Sequence, residues 1–161
     1  MTKAQKGIPE GFHTITPYLT VKDAAKVIQF YKDAFGATEL ERHNSPDGRI
    51  MNASIKIGDS ILMLSDEFPE YGCGVLPPSS LKGTTVMLHI YTEDVDAVFA
   101  NAIKAGCTVK MPVDDMFWGD RYGQLADPFG HFWSIATHKQ KPQFSNEYAG
   151  QCSEGSCNSK K

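Results

Sequence analysis

The chain has 161 residues, 16 Lys and Arg against 19 Asp and Glu, and 41% hydrophobic residues, enough for one globular domain or two small modules sharing a core. That balance, with no Lys/Arg-rich run, argues against a nucleic-acid partner, and no apolar run approaches the ~20 residues of a membrane helix. The opening MTKAQKGIPEG is polar and lacks the apolar core of a secretory signal, so the expected location is cytoplasmic. Cys73, Cys107, Cys152 and Cys157 are then expected to stay reduced.

After a polar tail over 1–11, ITPYLTV (15–21) alternates with the period of a strand. DAAKVIQFYKDAFG follows, with Ala24, Val27, Ile28, Tyr31 and Phe35 at helical spacing, Asp23 as N-cap and Gly36 as the stop. Three further strands are expected in TELERHN, RIMNASIKIG and SILMLSD, turned by SPDG and GD. The first module therefore spans 12–68, and residues 69–84, rich in Gly, Pro and Ser, read as a linker. The second module, 85–139, repeats the order: strand VMLHIYT, helix VDAVFANAIKAG, then strands TVKMPV, RYGQLAD and HFWSIAT. Residues 140–161, with Cys152 and Cys157 in a polar Gly/Ser-rich context, read as a disordered tail.

Each half is thus β-α-β-β-β. The predicted fold class is α+β: two tandem modules forming a cup-shaped, mostly antiparallel eight-stranded sheet with helices outside. Side-chain alternation supports a cup. One face carries Ile15, Leu19, Val21, Met51, Ile55, Ile57, Leu62, Leu64, Val86, Leu88, Ile90, Trp133 and Ile135, suited to packing under helices. The other carries Thr16, Tyr18, Thr20, Asn52, Ser54, Met63, Ser65, Met87, His89, Tyr91, Phe132, Ser134 and Ala136. That mixture of aromatic, small polar and Met side chains, without Lys or Glu, suits a ligand-holding concavity.

The paired β-α-β-β-β pattern resembles the vicinal-oxygen-chelate superfamily of glyoxalase I, bleomycin-resistance proteins and extradiol dioxygenases. Within it, TPYLTVKDAAKVIQFYKDAFGA, ILMLSDEFPE and GDRYGQLADPFGHFWSIATH resemble the PhnB-like branch, over about residues 12–139. Metal-dependent members take His or Glu ligands from the first and last strand of each half. The resemblance places Thr16, Met63, Met87 and Ser134 at those points, none of them a divalent-metal ligand, so no metal cofactor is expected. It also implies a homodimer, because such cups are commonly completed across a subunit interface.

The expected ligand-binding residues are Tyr18, Asn52, Met63, Met87, His89, Tyr91, Trp118, Arg121, Tyr122, Phe132 and Ser134, around an unknown small molecule, planar or anionic. His89 is read either as a ligand contact or as a histidine satisfied by a buried neighbour. Trp118 and Arg121 either stack on and pair with a ligand, or form a surface group in which Arg121 pairs with Asp120. Asp127, Pro128 and Gly130 read as turn chemistry, Asp66, Glu67 and Glu70 as an acidic loop, and His131 and His138 as exposed. A metal-independent binding protein, for sequestration or sensing, is favoured. A glyoxalase-type lyase or isomerase using His89 and Arg121 is the alternative, and a structural subunit with a self-filled cup the third reading.

Overall fold

The two long helices begin on aspartates and stop on glycines. Asp23 accepts a hydrogen bond from the Lys26 amide at the start of α1 (Ala24–Phe35), and Asp94 accepts one from Ala97 at the start of α3 (Val95–Ala105). Gly36 and Gly106, both at positive φ, close them. Around α1 stand β1 (Tyr18–Val21), β2 (Thr38–Asn44), β3 (Ile50–Ile57) and β4 (Ser60–Asp66). Around α3 stand β5 (Met87–Tyr91), β6 (Thr108–Asp115), β7 (Asp120–Ala126) and β8 (Phe132–His138). The computed structural model describes residues 7–72 and 74–139; residues 1–6, Cys73 and the expected tail with Cys152 and Cys157 lie outside the described residues.

The chain therefore folds as tandem β-α-β-β-β modules in an α+β arrangement, but the strands form two four-stranded sheets rather than one of eight. Their orders are β1-β4-β3-β2 and β5-β8-β7-β6, each with one parallel pair and two antiparallel pairs. The sheets are not closed on each other. One spacing relates the modules: it separates Asp23 from Asp94, Tyr18 from His89, and Met63 from Ser134. It also separates Asp66 from Thr137, which play one role with different chemistry. Asp66 accepts hydrogen bonds from the Ala24 and Ile50 amides, both at 2.7 Å, and Thr137 accepts one from Val95 at 2.9 Å. Asp66, expected in an acidic loop, is thus a buried clamp on the start of α1.

The helices, expected outside, meet each other. One core cluster joins Val21, Val27, Ile28, Tyr31, Ile55 and Leu64 to Trp133 of β8, with Leu88, Ile90 and Phe129 packed against it. The other joins Ala34 of α1 to Val95, Phe99, Ala102, Leu125 and Ile135. The helix-covered faces of both sheets thus converge on one core, and the bare faces are left on the outside. Three residues assigned to the covered face escape it: Ile15 is 85% exposed, Met51 52% and Val86 58%. Ile15 and Val86 precede their strands, and Met51 sits where the β2–β3 register shifts, so that Ile50 takes the buried place instead.

Asp127 does more than turn the last hairpin. Its Oδ1 accepts the Phe129 and His131 amides, both at 2.9 Å, as the turn chemistry requires. Its Oδ2 accepts the Tyr31 hydroxyl at 2.8 Å and the Trp133 indole N–H at 3.0 Å. Burial pushes this carboxyl up, but the His131 ring, the Trp133 indole and the Tyr31 phenol outweigh it and hold it below the ordinary aspartate value. His131, expected exposed, is buried, with Nδ1 3.6 Å from Oδ2 and without a hydrogen-bond partner. Nearby Cys107 is buried and its thiol is pushed up to about 12 by burial and by the Asp127 charge. The linker closes over the same turn: a Cβ on Gly130, at φ +95, would stand 2.9 Å from the Pro78 Cβ at the start of α2 (Pro78–Leu81).

Two substitutions test this junction. Tyr31→Phe removes a hydrogen bond to a buried carboxylate and is expected to cost about 1.5–3 kcal/mol in chemical denaturation. Gly130→Ala combines the positive φ with the Pro78 clash and is expected to cost at least ~1 kcal/mol. A group whose folded value is depressed stabilises above its unfolded value and loses that contribution as pH falls through the folded one. The Asp127 contribution is therefore full at neutral pH and lost below the ordinary 3.8, so Asp127→Asn should flatten the acid limb of the stability profile.

Candidate functional site

The strand registers place ten of the eleven expected ligand contacts on or beside the bare faces. On the first sheet, Tyr18 stands opposite Met63, and Met63 opposite Ser54. The Tyr18 hydroxyl donates to the Met51 carbonyl at 3.3 Å and accepts from Asn52 Nδ2 at 3.1 Å, so its ring reaches over β4 to β3. Ser54 is buried in this row, with no hydrogen-bond partner on its Oγ.

The second sheet carries the denser constellation. Register pairs His89 with Ser134, Ser134 with Gln124, and Ala136 with both Tyr91 and Tyr122. His89 Nδ1 and the buried Ser134 Oγ share a hydrogen bond of 2.7 Å, which fixes the imidazole plane. Gln124 Nε2 donates to the Tyr122 hydroxyl at 2.8 Å and holds that ring in turn. Met87 Sδ lies 3.9 Å from the same hydroxyl, and Lys110 Nζ lies 5.7 Å from the Phe132 ring centroid. His89 thus has the buried partner that one reading expected, and its ring stands on an open face.

Asp120, Gln124 and His138 also stand on this face, although the sequence reading did not name them among the expected contacts. Asp120 Oδ2 accepts the Trp118 indole N–H at 3.0 Å and the Tyr91 hydroxyl at 3.5 Å, while Oδ1 lies 2.7 Å from His138 Nδ1. Strand alternation was the signal for all three, since each is an even step from Tyr122 or Ser134. Burial holds His89 below the usual imidazole value, and the Asp120 charge offsets this only in part.

Arg121 is not part of the site. The same alternation that turns Asp120 and Tyr122 outwards sends Arg121 to the helix side. There it forms a two-pronged pair with Asp96 in the first turn of α3, both contacts 2.7 Å, and reaches Asp115 at 3.4 Å. The Asp120–Arg121 surface pair is equally absent, because Asp120 is buried against Trp118 and His138.

The four positions at which the resemblance expects metal ligands carry Thr16, Met63, Met87 and Ser134. Thr16 donates its hydroxyl to the His13 carbonyl at 3.3 Å, Ser134 is engaged by His89, and Met63 and Met87 offer only thioethers. Among the described residues no three His, Cys, Asp or Glu side chains form a group able to hold a metal. Among them, too, no helix is long and apolar enough to cross a membrane.

These features meet in one family. Residues 11–135 match the model of the Glyoxalase/Bleomycin resistance protein/Dioxygenase superfamily, and the chain belongs to it. An uncharacterised protein of Mycobacterium bovis is 43% identical over 143 residues, covering 88% of this chain and 93% of the relative. Among solved structures, TioX from Micromonospora aligns with TM-score 0.62 at 23% identity, over 78% of this chain and 98% of TioX. A PhnB protein from Bacillus cereus aligns with TM-score 0.58 at 15% identity, over 78% of this chain and 99% of its own.

The electrostatics of the face predict an observable titration. By ring-proton NMR, His89 should titrate below the ordinary 6.5, and Asp120→Asn should lower its midpoint further by removing the attraction for the charged form. A midpoint above 6.5 in the wild-type protein contradicts this account of the face.

Proposed function

We propose that this protein binds a small molecule on its bare sheet faces without a metal, for sequestration or sensing rather than turnover. The observation that carries the reading is the second face, where His89, Tyr91, Trp118 and Tyr122 surround hydrogen-bonded polar groups and remain open to a ligand. Rings held by Ser134, Gln124 and Asp120 are pre-oriented, so stacking on them costs little further ordering. Tyr18, Asn52 and Met63 form the corresponding half-site on the first sheet.

The two half-sites lie on the outside of one chain, and β1 and β5 are edge strands, each paired on one side only. A homodimer that sets the first sheet of one protomer against the second sheet of its partner would give each ligand two walls. The expected solution mass is therefore twice 17.7 kDa by light scattering, and a monomer at micromolar concentration would remove this part of the reading.

The glyoxalase-type lyase reading is weaker on this geometry. With Arg121 paired to Asp96 on the far side, the bases of this face among the described residues are His89 and the His138–Asp120 pair, and no Lys or Arg contacts His89 to stabilise an enediolate. Two measurements separate the readings. Zn, Ni, Mn and Fe(II) are expected to give no thermal stabilisation; near-stoichiometric metal that is lost in His89→Ala would favour the lyase. Small aromatic probes of each charge type are expected to move amide resonances of β5, β7 and β8, with Tyr122→Ala weakening the tightest probe at least about tenfold, or ~1.4 kcal/mol. Probes that move no resonance on either bare face would sink the binding reading.

A further inference from the structure

Taking the bare second face as a binding surface, its chemistry also sets the charge of what it takes. Four rings and one carboxylate close a circuit where β7 begins and β8 ends. His89 meets Tyr91 edge-to-face at 4.4 Å, and Tyr122 lies 6.0 Å from His89 with the planes 22° apart. Trp118 meets Tyr122 edge-to-face at 5.6 Å. Trp118 and Tyr91 both donate to Asp120, which completes the ring of contacts.

Trp118, Tyr91, Tyr122 and the Asp120 carboxylate of this circuit favour positive charge. Aromatic faces attract cations through their quadrupole, most strongly for Trp and Tyr. The indole N–H and the Tyr91 hydroxyl are spent on Asp120, so the polar tips point at the carboxylate, while Tyr91, 66% exposed, keeps aromatic surface open to a ligand. Among the described residues no Lys or Arg side chain bonds Asp120 or stacks on these rings. Arg121 is neutralised by Asp96 and Asp115 on the other side of the sheet, and Lys110 lies over Phe132 at the far end of β8. His138 approaches Asp120 through the other oxygen, leaving Oδ2 facing Trp118 and Tyr91.

We propose that this circuit is a subsite for a weakly hydrated organic cation, a quaternary or methylated ammonium group, rather than for the planar anion that Arg121 suggested. A methylated nitrogen gives up its hydration shell more readily than a primary amine, and it spreads its charge over surfaces that fit ring faces. An anion here would lose water and stand beside the Asp120 carboxylate, with no Lys or Arg among the described residues bonded to the circuit.

The test uses matched pairs on the full-length protein, followed by titration calorimetry and by NMR of the face. Choline is compared with 3,3-dimethylbutan-1-ol, which has the same shape without the charge, and benzyltrimethylammonium with benzoate. Each cation is expected to bind at least about tenfold more tightly than its counterpart, with shifts centred on Tyr91, Trp118 and Tyr122. Trp118→Leu should abolish most of that preference. Tyr91→Leu, at a side chain 66% exposed and therefore safe for folding, should reduce it several-fold. Equal binding of choline and the neutral alcohol, or tighter binding of benzoate on this face, overturns the cation subsite while leaving the face a binding surface. Absence of any shift from all four probes overturns both.

Discussion

The Asp127 carboxylate is the point on which the rest of the molecule turns. The two sheets share no strand pairing among the described residues, so the modules meet through side chains at a core where α1, α3 and Trp133 come together, with the linker closing over it at Pro78. A buried carboxylate at such a place is costly unless its lone pairs are filled. Here two backbone amides of its own turn occupy one oxygen, and a phenol from the first module and an indole from the second occupy the other. The same group thus shapes a hairpin and ties the modules across it. Because this tie lies on the helix side of both sheets, it fixes which faces are covered and which remain bare.

That choice of faces organises the functional surface. Alternation along β5, β7 and β8 sends His89, Tyr91, Asp120, Tyr122 and Ser134 outwards together, while Leu88, Ile90, Leu125, Trp133 and Ile135 go to the core. The two modules have diverged on this common plan. At matching positions the first carries Tyr18, Met63, Ser54 and Asn52, and the second carries His89, Ser134, Gln124 and Tyr122. Ser54 is buried without a partner where the second module places a hydrogen-bonded glutamine, so the fixed polar–aromatic array belongs to the second face. Phe99 over Gly123 shows how closely α3 lies on the other side: a Cβ there would stand 2.7 Å from the Phe99 ring. The bare face is accordingly backed by a tightly filled layer, a rigid platform for its rings.

Most of the site was legible because it follows from period-two alternation, a local property of each strand. The residues that escaped did so for reasons of partnership. Arg121 beside Trp118 and Tyr122 reads as one cluster in sequence, yet neighbours on a strand point to opposite faces, and Asp96 lies 25 residues away in a helix. His131 next to a turn reads as exposed because nothing local shows that α1 and α2 cover that turn. Met51 fits the alternation, but a register shift moves it out and draws Ile50 in.

Two β-α-β-β-β modules, their helix caps and the DPFG turn could all be read from the order of residues alone. These depend on periodicity, local backbone preference and residue chemistry, all of which act over a few residues. Long-range packing, by contrast, brings the helices together between the modules, keeps the sheets separate, neutralises Arg121 on the far side of its sheet, and supplies Asp120 and Asp127 with side chains from far along the chain. Those outcomes depend on which covered face finds which, and a buried charge is satisfied by whatever donors that meeting brings within about 3 Å.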